Sequence, residues 1–386
     1  MEKEEKVLDR LSSDWNEINE LVIYGFGRTA IRNIDKLAED FHISLIIDND
    51  PTIHGKQYGN CRVQTFAEVK DCLAGKKIVI ATSSVAYADI TKQLQEMGLQ
   101  ENLDFCRLKD FMAEWYWKNR HQVCLSQTFS SVTSRCTFNC RHCNFFAPYF
   151  KREGHYDYDE TDILSDFEGY FKIVDYVASW SIMGGEPLLN ERLPQIIECI
   201  YERYGSRIGY IQVISNGSIV PGRELLDTMR KCKVRMRLSD YTHVISYEEK
   251  LAEVKRCLEE NEIPYDMSIY EQWFDLGTST CEIPSLCGSA EDTVRHMRLC
   301  ATGCHQLNDK KFYFCGQGFA RTKIGWCSLQ EGDCIELDQC TGSVDEKESM
   351  LRFCMGFPPK GYISVCKTCY GMGSDNNRIV EVAEQM

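Results

Sequence analysis

Short apolar runs alternate with stretches of helical period over most of the chain, the pattern of strand–helix units built on a parallel sheet. Residues 21–24 (Leu-Val-Ile-Tyr) predict a strand that runs into Gly25-Phe-Gly27-Arg-Thr-Ala30 and then a helix over 31–39. A second strand over 43–47 ends in Asp48-Asn-Asp50-Pro51, a third over 77–81 ends in Thr82-Ser83-Ser84, and a helix follows over 86–97. Residues 111–117, dense in aromatics, predict a helix leading out of this first domain, whose boundary falls near His121.

A second alternating series begins at Val123. Predicted strands over 125–132, 180–183, 210–214 and 234–238 deliver four loops in turn. These hold a cysteine cluster, then Gly184-Gly185-Glu186-Pro187, then Ser215-Asn216-Gly217, then Ser239-Asp240-Tyr241. Helical stretches over 193–204, 223–231 and 247–261 separate the later ones. Repeated strand–loop–helix units predict a full or partial barrel, whose chemistry gathers at the C-terminal strand ends, where all four loops lie. From Cys281 onward the pattern turns irregular, rich in cysteine, glycine and turn residues, and such a segment needs a staple. The expected organisation is therefore a nucleotide-binding-like domain over 1–120, a barrel over 121–280 and a cysteine-rich domain over 281–386.

Composition narrows the function. With 386 residues and 43% hydrophobic content the chain can bury two or three cores. No run approaches the ~20 apolar residues of a membrane span, and the opening Met-Glu-Lys-Glu-Glu-Lys lacks the order of a signal peptide. The expectation is a cytoplasmic protein with no membrane partner. A net charge of -14 opposes polyanions, which argues against a nucleic-acid substrate. The 21 cysteines, in a large leaderless chain, read as metal or cluster ligands rather than disulfides. Cys61, Cys72, Cys106, Cys199, Cys232 and Cys257 stand singly in regular segments and read as small buried hydrophobes.

Cys136-Thr-Phe-Asn-Cys140-Arg-His-Cys143 is the most informative stretch. Three thiolates so close together can hold an iron–sulfur cluster, and three ligands for four irons leave one iron open. This loop, followed by Gly184-Gly185-Glu186-Pro187 at a later strand end, resembles the radical S-adenosylmethionine (SAM) superfamily. The resemblance implies a partial (β/α)6 TIM-like barrel in which Cys136, Cys140 and Cys143 hold a [4Fe–4S] cluster. SAM would bind the open iron and be cleaved reductively to a 5′-deoxyadenosyl radical that abstracts hydrogen from substrate. It also implies that His142 packs near the adenine, that Gly184 to Pro187 meet the SAM amino group, and that Ser215, Asn216 and Ser239 face its ribose and carboxylate. The expected electron donor is a low-potential flavodoxin or ferredoxin.

Cys300-x3-Cys304-x10-Cys315, with Cys366-x2-Cys369 much later, resembles the SPASM/twitch subgroup, whose C-terminal extension holds an auxiliary [4Fe–4S] cluster. The implied ligands are Cys300, Cys315, Cys366 and Cys369, with Cys304 as a substitute for Cys300. A zinc ribbon of Cys300/Cys304 and Cys366/Cys369 is the competing reading. Cys281, Cys287, Cys327, Cys334, Cys340 and Cys354 stay unassigned; one of them could donate hydrogen in an epimerisation. In the first domain, Gly25, Gly27 and Asp48 outline a dinucleotide fingerprint, with phosphates at a helix N-terminus and an acid for ribose. That outline resembles the small Rossmann-like domains accompanying sugar-modifying enzymes. The expectation is oxidation or epimerisation of a sugar, amino sugar or nucleotide sugar. A peptide maturase and a non-enzymatic iron–sulfur or zinc protein are the alternatives.

Overall fold

A computed structural model describes residues 7–82, 84–279, 287–300, 304–373 and 375–386. The chain divides into two compact units, Met1–Ser126 with Val174–Ala178, and Gln127–Ile173 with Ser179–Met386.

The first unit contains β1 (Glu20–Tyr24), α1 (Arg28–Asp40), β2 (His42–Ile47), β3 (Gln57–Tyr58), β4 (Cys61–Gln64), α2 (Phe66–Val69), β5 (Ile78–Ile80), α3 (Ser84–Glu96), β6 (Phe105–Arg107), α4 (Leu108–Arg120) and β7 (Cys124–Leu125). Its six-stranded sheet has the order β3-β4-β2-β1-β5-β6, parallel except for the β3–β4 hairpin. Strand β1 reads as continuously apolar because both of its faces are covered. Leu21 and Ile23 enter a core with Ile34, Leu37 and Trp115, while Val22 and Tyr24 enter another with Leu73, Leu94 and Phe105. The glycine turn lies between β1 and α1, beside β5, where the strand order reverses direction. Helix α4 stops at His121, which takes a left-handed φ of 52° and caps it.

The second unit begins with β8 (Thr128–Ser131), followed by α5 (Ala147–Glu153), α6 (Glu160–Ile173), β9 (Tyr176–Met183, which enters this unit at Ser179), α7 (Leu193–Tyr204), β10 (Ile208–Ser215), α8 (Arg223–Lys231), β11 (Arg235–Asp240), α9 (Glu248–Glu260), β12 (Tyr265–Ile269) and β13 (Trp273–Phe274). After these come α10 (Ala290–Leu299), β14 (Gln306–Asn308), β15 (Lys311–Tyr313), α11 (Gly316–Lys323), β16 (Cys334–Glu336), α12 (Val344–Cys354) and β17 (Ile379–Val380). The main sheet runs β12-β11-β10-β9-β8-β14-β15-β16. Its β8–β9, β10–β11, β11–β12 and β14–β8 ladders are parallel.

Two differences from the sequence reading have physical causes. The single strand expected over 125–132 is broken at Ser126 and Gln127 into β7 and β8. The segment after 281, expected to be irregular and separate, supplies three helices and a strand, β14, that pairs with β8; it belongs to the same unit as the parallel strands. Helices α10 to α12 bury few apolar side chains each (Met297; Phe319 and Ala320; Met350, Leu351 and Phe353), too few to set a helical period. Among the described residues no helix is long and apolar enough to cross a membrane.

Candidate functional site

The triad loop leaves the C-terminal end of β8. Cys140 is 8% exposed, and Cys136 and Cys143 are half-buried as residues. Burial pushes the Cys136 thiol up to about 12, with Cys143, Glu186 and Cys140 adding to the rise. Burial likewise takes Cys140 to about 12, and Cys143 is raised too. Against this, N–H groups point at sulfur. The Phe138 amide acts on Cys136, the Ala147, Phe145 and Phe146 amides act on Cys143, and Gln385 Nε2 donates to Cys140 Sγ at 3.2 Å. Buried thiols that repel one another's charge yet are met by N–H donors suit an anionic thiolate cluster, because a coordinated metal removes the thiol protons outright. Among the described residues no three His, Cys, Asp or Glu side chains converge as ligands of one ion.

The next strand end is stitched to this loop. The Gly185 amide donates to the Thr133 carbonyl at 2.8 Å and the Glu186 amide to the Arg135 carbonyl at 2.7 Å. A Cβ on Gly184 would stand 2.3 Å from the Thr133 oxygen, and one on Gly185 would stand 2.1 Å from the Arg135 oxygen. The close approach that these glycines permit is therefore to the chain's own cysteine loop. Glu186, expected to face an ammonium group, is fully buried; its carboxylate accepts from the Leu188 amide at 3.2 Å and the Asn216 amide at 2.8 Å. Burial raises it to about 7 against those bonds. It ties the end of β9 to the end of β10. Pro187 opens the short turn that follows.

Asn216 in turn reaches the loop, with Nδ2 2.9 Å from Thr137 Oγ1 and 3.8 Å from Cys136 Sγ. Ser215 Oγ accepts from the Gly217 amide at 3.0 Å, which shapes the turn. Ser239, buried on β11, meets the Tyr247 hydroxyl through its carbonyl at 3.3 Å; the same hydroxyl donates to the Asn216 carbonyl at 2.9 Å. Thus the triad, Glu186, Asn216 and Ser239 come together at one end of the sheet. His142 lies there as well, its Nε2 3.5 Å from a Glu384 carboxylate oxygen.

Residues 382–386 fold over the same loop. Val382 and Ala383 pack with Cys140, Phe138, Tyr241 and Trp273, and Cys140 and Gln385 form a β-bridge. Nothing in the pattern around Gln385 marks it as a partner of Cys140, 245 residues away in sequence.

A second group of thiols gathers elsewhere in the unit. Cys315, Cys366 and Cys369 are each at most 9% exposed. Burial pushes Cys315 up to about 12, with Cys369 and Cys300 contributing, and Cys369 up to about 11. Cys366 is raised by burial and by Cys315, Cys369 and Cys300. The four residues thus lie within one another's electrostatic reach. Amide donors again meet sulfur: Gly371 to Cys369 at 3.3 Å, Met372 to Cys300 at 3.4 Å, and Gln317 and Gly318 to Cys315, which caps the N-terminus of α11. Cys304 is half-buried just after residues 301–303, which lie outside the described set, as does Cys281. Cys340 donates to the Glu336 carbonyl at 3.1 Å, and Cys354 meets Met350 Sδ at 3.8 Å.

In the first unit, Gly25 takes a φ of 96° and leaves no room for a Cβ, which would meet Thr82 Cγ2 at 2.3 Å. Gly27 caps α1 and is open to solvent. Asp48 accepts from the Phe26 amide at 2.6 Å and the Asp50 amide at 2.9 Å. Its carboxylate is thus engaged by the chain's own amides.

Among solved structures, BtrN in complex with AdoMet and 2-DOIA is 14% identical, with a TM-score of 0.41, over 68% of this chain and 98% of that one. Native anSMEcpe with bound AdoMet and a peptide is 12% identical, with a TM-score of 0.31, over 45% of this chain. The match spans 58% of that anSMEcpe chain. SuiB of Streptococcus suis bound to precursor peptide SuiA is 15% identical, with a TM-score of 0.27, over 47% of this chain and 52% of that one. Residues 130–239, which hold the triad loop, Gly184 to Pro187, Asn216 and Ser239, match the model of the Radical SAM superfamily, a family that uses a [4Fe–4S] cluster and SAM.

Proposed function

We propose that the protein oxidises a small-molecule substrate of the sugar, amino-sugar or nucleotide-sugar class by radical SAM chemistry. Cys136, Cys140 and Cys143 would hold the SAM-binding cluster, and Cys300, Cys315, Cys366 and Cys369 an auxiliary one. Bound at the first site, the cluster and SAM supply a hydrogen-abstracting radical. The chain's part is to hold the pair in a buried pocket. Glu186 and Asn216 fix the β9 and β10 ends against the loop, Gln385 and the Phe138 amide steady the sulfurs, and residues 382–386 keep water from Cys140.

The gathering of Cys300, Cys315, Cys366 and Cys369 carries this reading. A site ligated wholly by cysteine has no open position for SAM, so its use is to take the electron left on the substrate, and the net outcome is oxidation. Epimerisation would instead need a thiol free to return hydrogen. The sugar class rests on the first unit, where the glycine turn at the head of α1 lies beside the reversal in strand order, the usual seat of nucleotide ligands in such sheets.

Anaerobic reconstitution tests the enzyme. About eight irons per chain and reductant-dependent formation of 5′-deoxyadenosine are expected. Zinc in place of iron, or iron without SAM cleavage, would refute it. Deuterium-labelled sugar nucleotides test the class, through label transferred to 5′-deoxyadenosine; transfer from a short peptide and from no sugar would replace this substrate with a peptide.

A further inference from the structure

Helix α11 carries a buried arginine that the cysteine pattern does not explain. Arg321 is 3% exposed. Its Nη2 donates to the Leu276 and Gly277 carbonyls at 2.9 and 3.0 Å, its Nη1 to Thr368 O and Oγ1 at 3.1 and 3.2 Å, and its Nε to Gln317 Oε1 at 3.3 Å. All of these partners are neutral. A guanidinium stays charged in a protein, and a buried charge held only by neutral acceptors is costly unless an anion nearby offsets it.

A candidate anion lies alongside, in the thiol group. Thr368, which takes two of the five bonds, directly precedes Cys369, and α11 begins at Cys315. The Asp275 carboxylate also lies close, accepting at 2.7 Å from the amide of Gly277, the residue whose carbonyl takes a bond from Arg321. Through Gln317, whose Nε2 donates to the Asn144 carbonyl at 2.8 Å, the same helix touches the residue after Cys143.

We infer that Arg321 is a positioning residue that offsets the negative charge of a cluster at Cys300, Cys315, Cys366 and Cys369 and raises its reduction potential, favouring acceptance of an electron. This rests on the auxiliary-cluster reading above. A fixed cation beside a cluster stabilises the reduced form, which carries one more negative charge.

The test uses full-length chains in which Cys136, Cys140 and Cys143 are alanine, so that only the second site can load. Arg321→Met and Arg321→Lys are compared with the parent by redox titration followed by electron paramagnetic resonance. Arg321→Met is expected to hold its iron and to be at least tenfold harder to reduce, about 59 mV more negative for a one-electron couple. Arg321→Lys, which keeps the charge, is expected to stay near the parent. A methionine variant with unchanged potential overturns the inference. So does a lysine variant that loads iron and shifts tenfold, even if the methionine chain fails to fold, because the bonds rather than the charge would then matter. A parent that takes up no iron overturns the auxiliary-cluster reading itself.

Discussion

Replacing Gly185 by alanine probes how tightly the second strand end is fitted to the cysteine loop. Gly185 does not use a left-handed backbone, so the substitution is resisted by space alone. The new Cβ would lie 2.1 Å from the Arg135 oxygen, 2.5 Å from its carbon and 2.9 Å from Cys136 Cβ. Bringing the first contact to 3.0 Å, a distance below which real Cβ contacts essentially do not occur, requires a displacement of 3.0 minus 2.1, or 0.9 Å. Arg135 cannot yield freely, because its side chain is held by Asp157 at 2.9 Å and the Leu189 carbonyl at 2.6 Å. Overpacking of this kind costs about 1–3 kcal/mol, and the two amide bonds from Gly185 and Glu186 to the loop add about 1 kcal/mol each if broken. A loss of roughly 3–5 kcal/mol is expected in denaturant unfolding, with loss of the iron that the proposed site at Cys136, Cys140 and Cys143 would hold. Gly27→Ala is the control: nothing crowds its Cβ position, and replacing glycine at the helix cap should cost at most about 1 kcal/mol. A Gly185→Ala chain with unchanged midpoint and a full iron complement would show that the loop gives way, and the steric argument would be wrong.

Three further outcomes follow from the two thiol sites and one buried carboxylate. Alanine at Cys136, Cys140 and Cys143 together should abolish 5′-deoxyadenosine formation while retaining about four irons per chain; an iron-free product would overturn the second cluster. Asp166, buried with one oxygen accepting from the Lys310 amide at 2.5 Å and the other without a hydrogen-bond partner, is pushed up by burial to about 7 from its ordinary 3.8. Its folded form keeps a proton that the unfolded form releases, so its contribution to stability is present below pH 3.8 and lost as pH rises through about 7. The loss is on the order of 4 kcal/mol. Asp166→Asn should flatten the stability profile over that window in chemical unfolding, and an unchanged slope would assign it to other groups. Gln385→Leu removes the N–H aimed at Cys140 and should make the first cluster harder to reduce in a redox titration; an unmoved potential would leave that contact with a packing role only.

The triad loop and Gly184 to Pro187 could be picked out because their pattern is local: three cysteines within eight residues, then a glycine pair at a strand end. Strands β1, β2 and β9 were legible too, since their apolar runs are covered on both faces. Even the four thiols that gather in the second group could be named from spacing and family likeness. Partnerships made across long separations were not. Gln385 meets Cys140 because the chain's last residues fold back over the loop, and Glu186, expected to face a ligand, is absorbed in joining two strand ends. The pairing of β14 with β8 draws the cysteine-rich segment into the same unit as the parallel strands, and no periodic signal announces it. Arg321 looks in sequence like any helical arginine near a surface; only the packing of α11 against 276–277 and 368 buries it. Short-range covalent spacing thus singled out the thiols of the triad, whereas burial and long-range hydrogen bonding, which depend on residues far apart in the chain, decided what surrounds them.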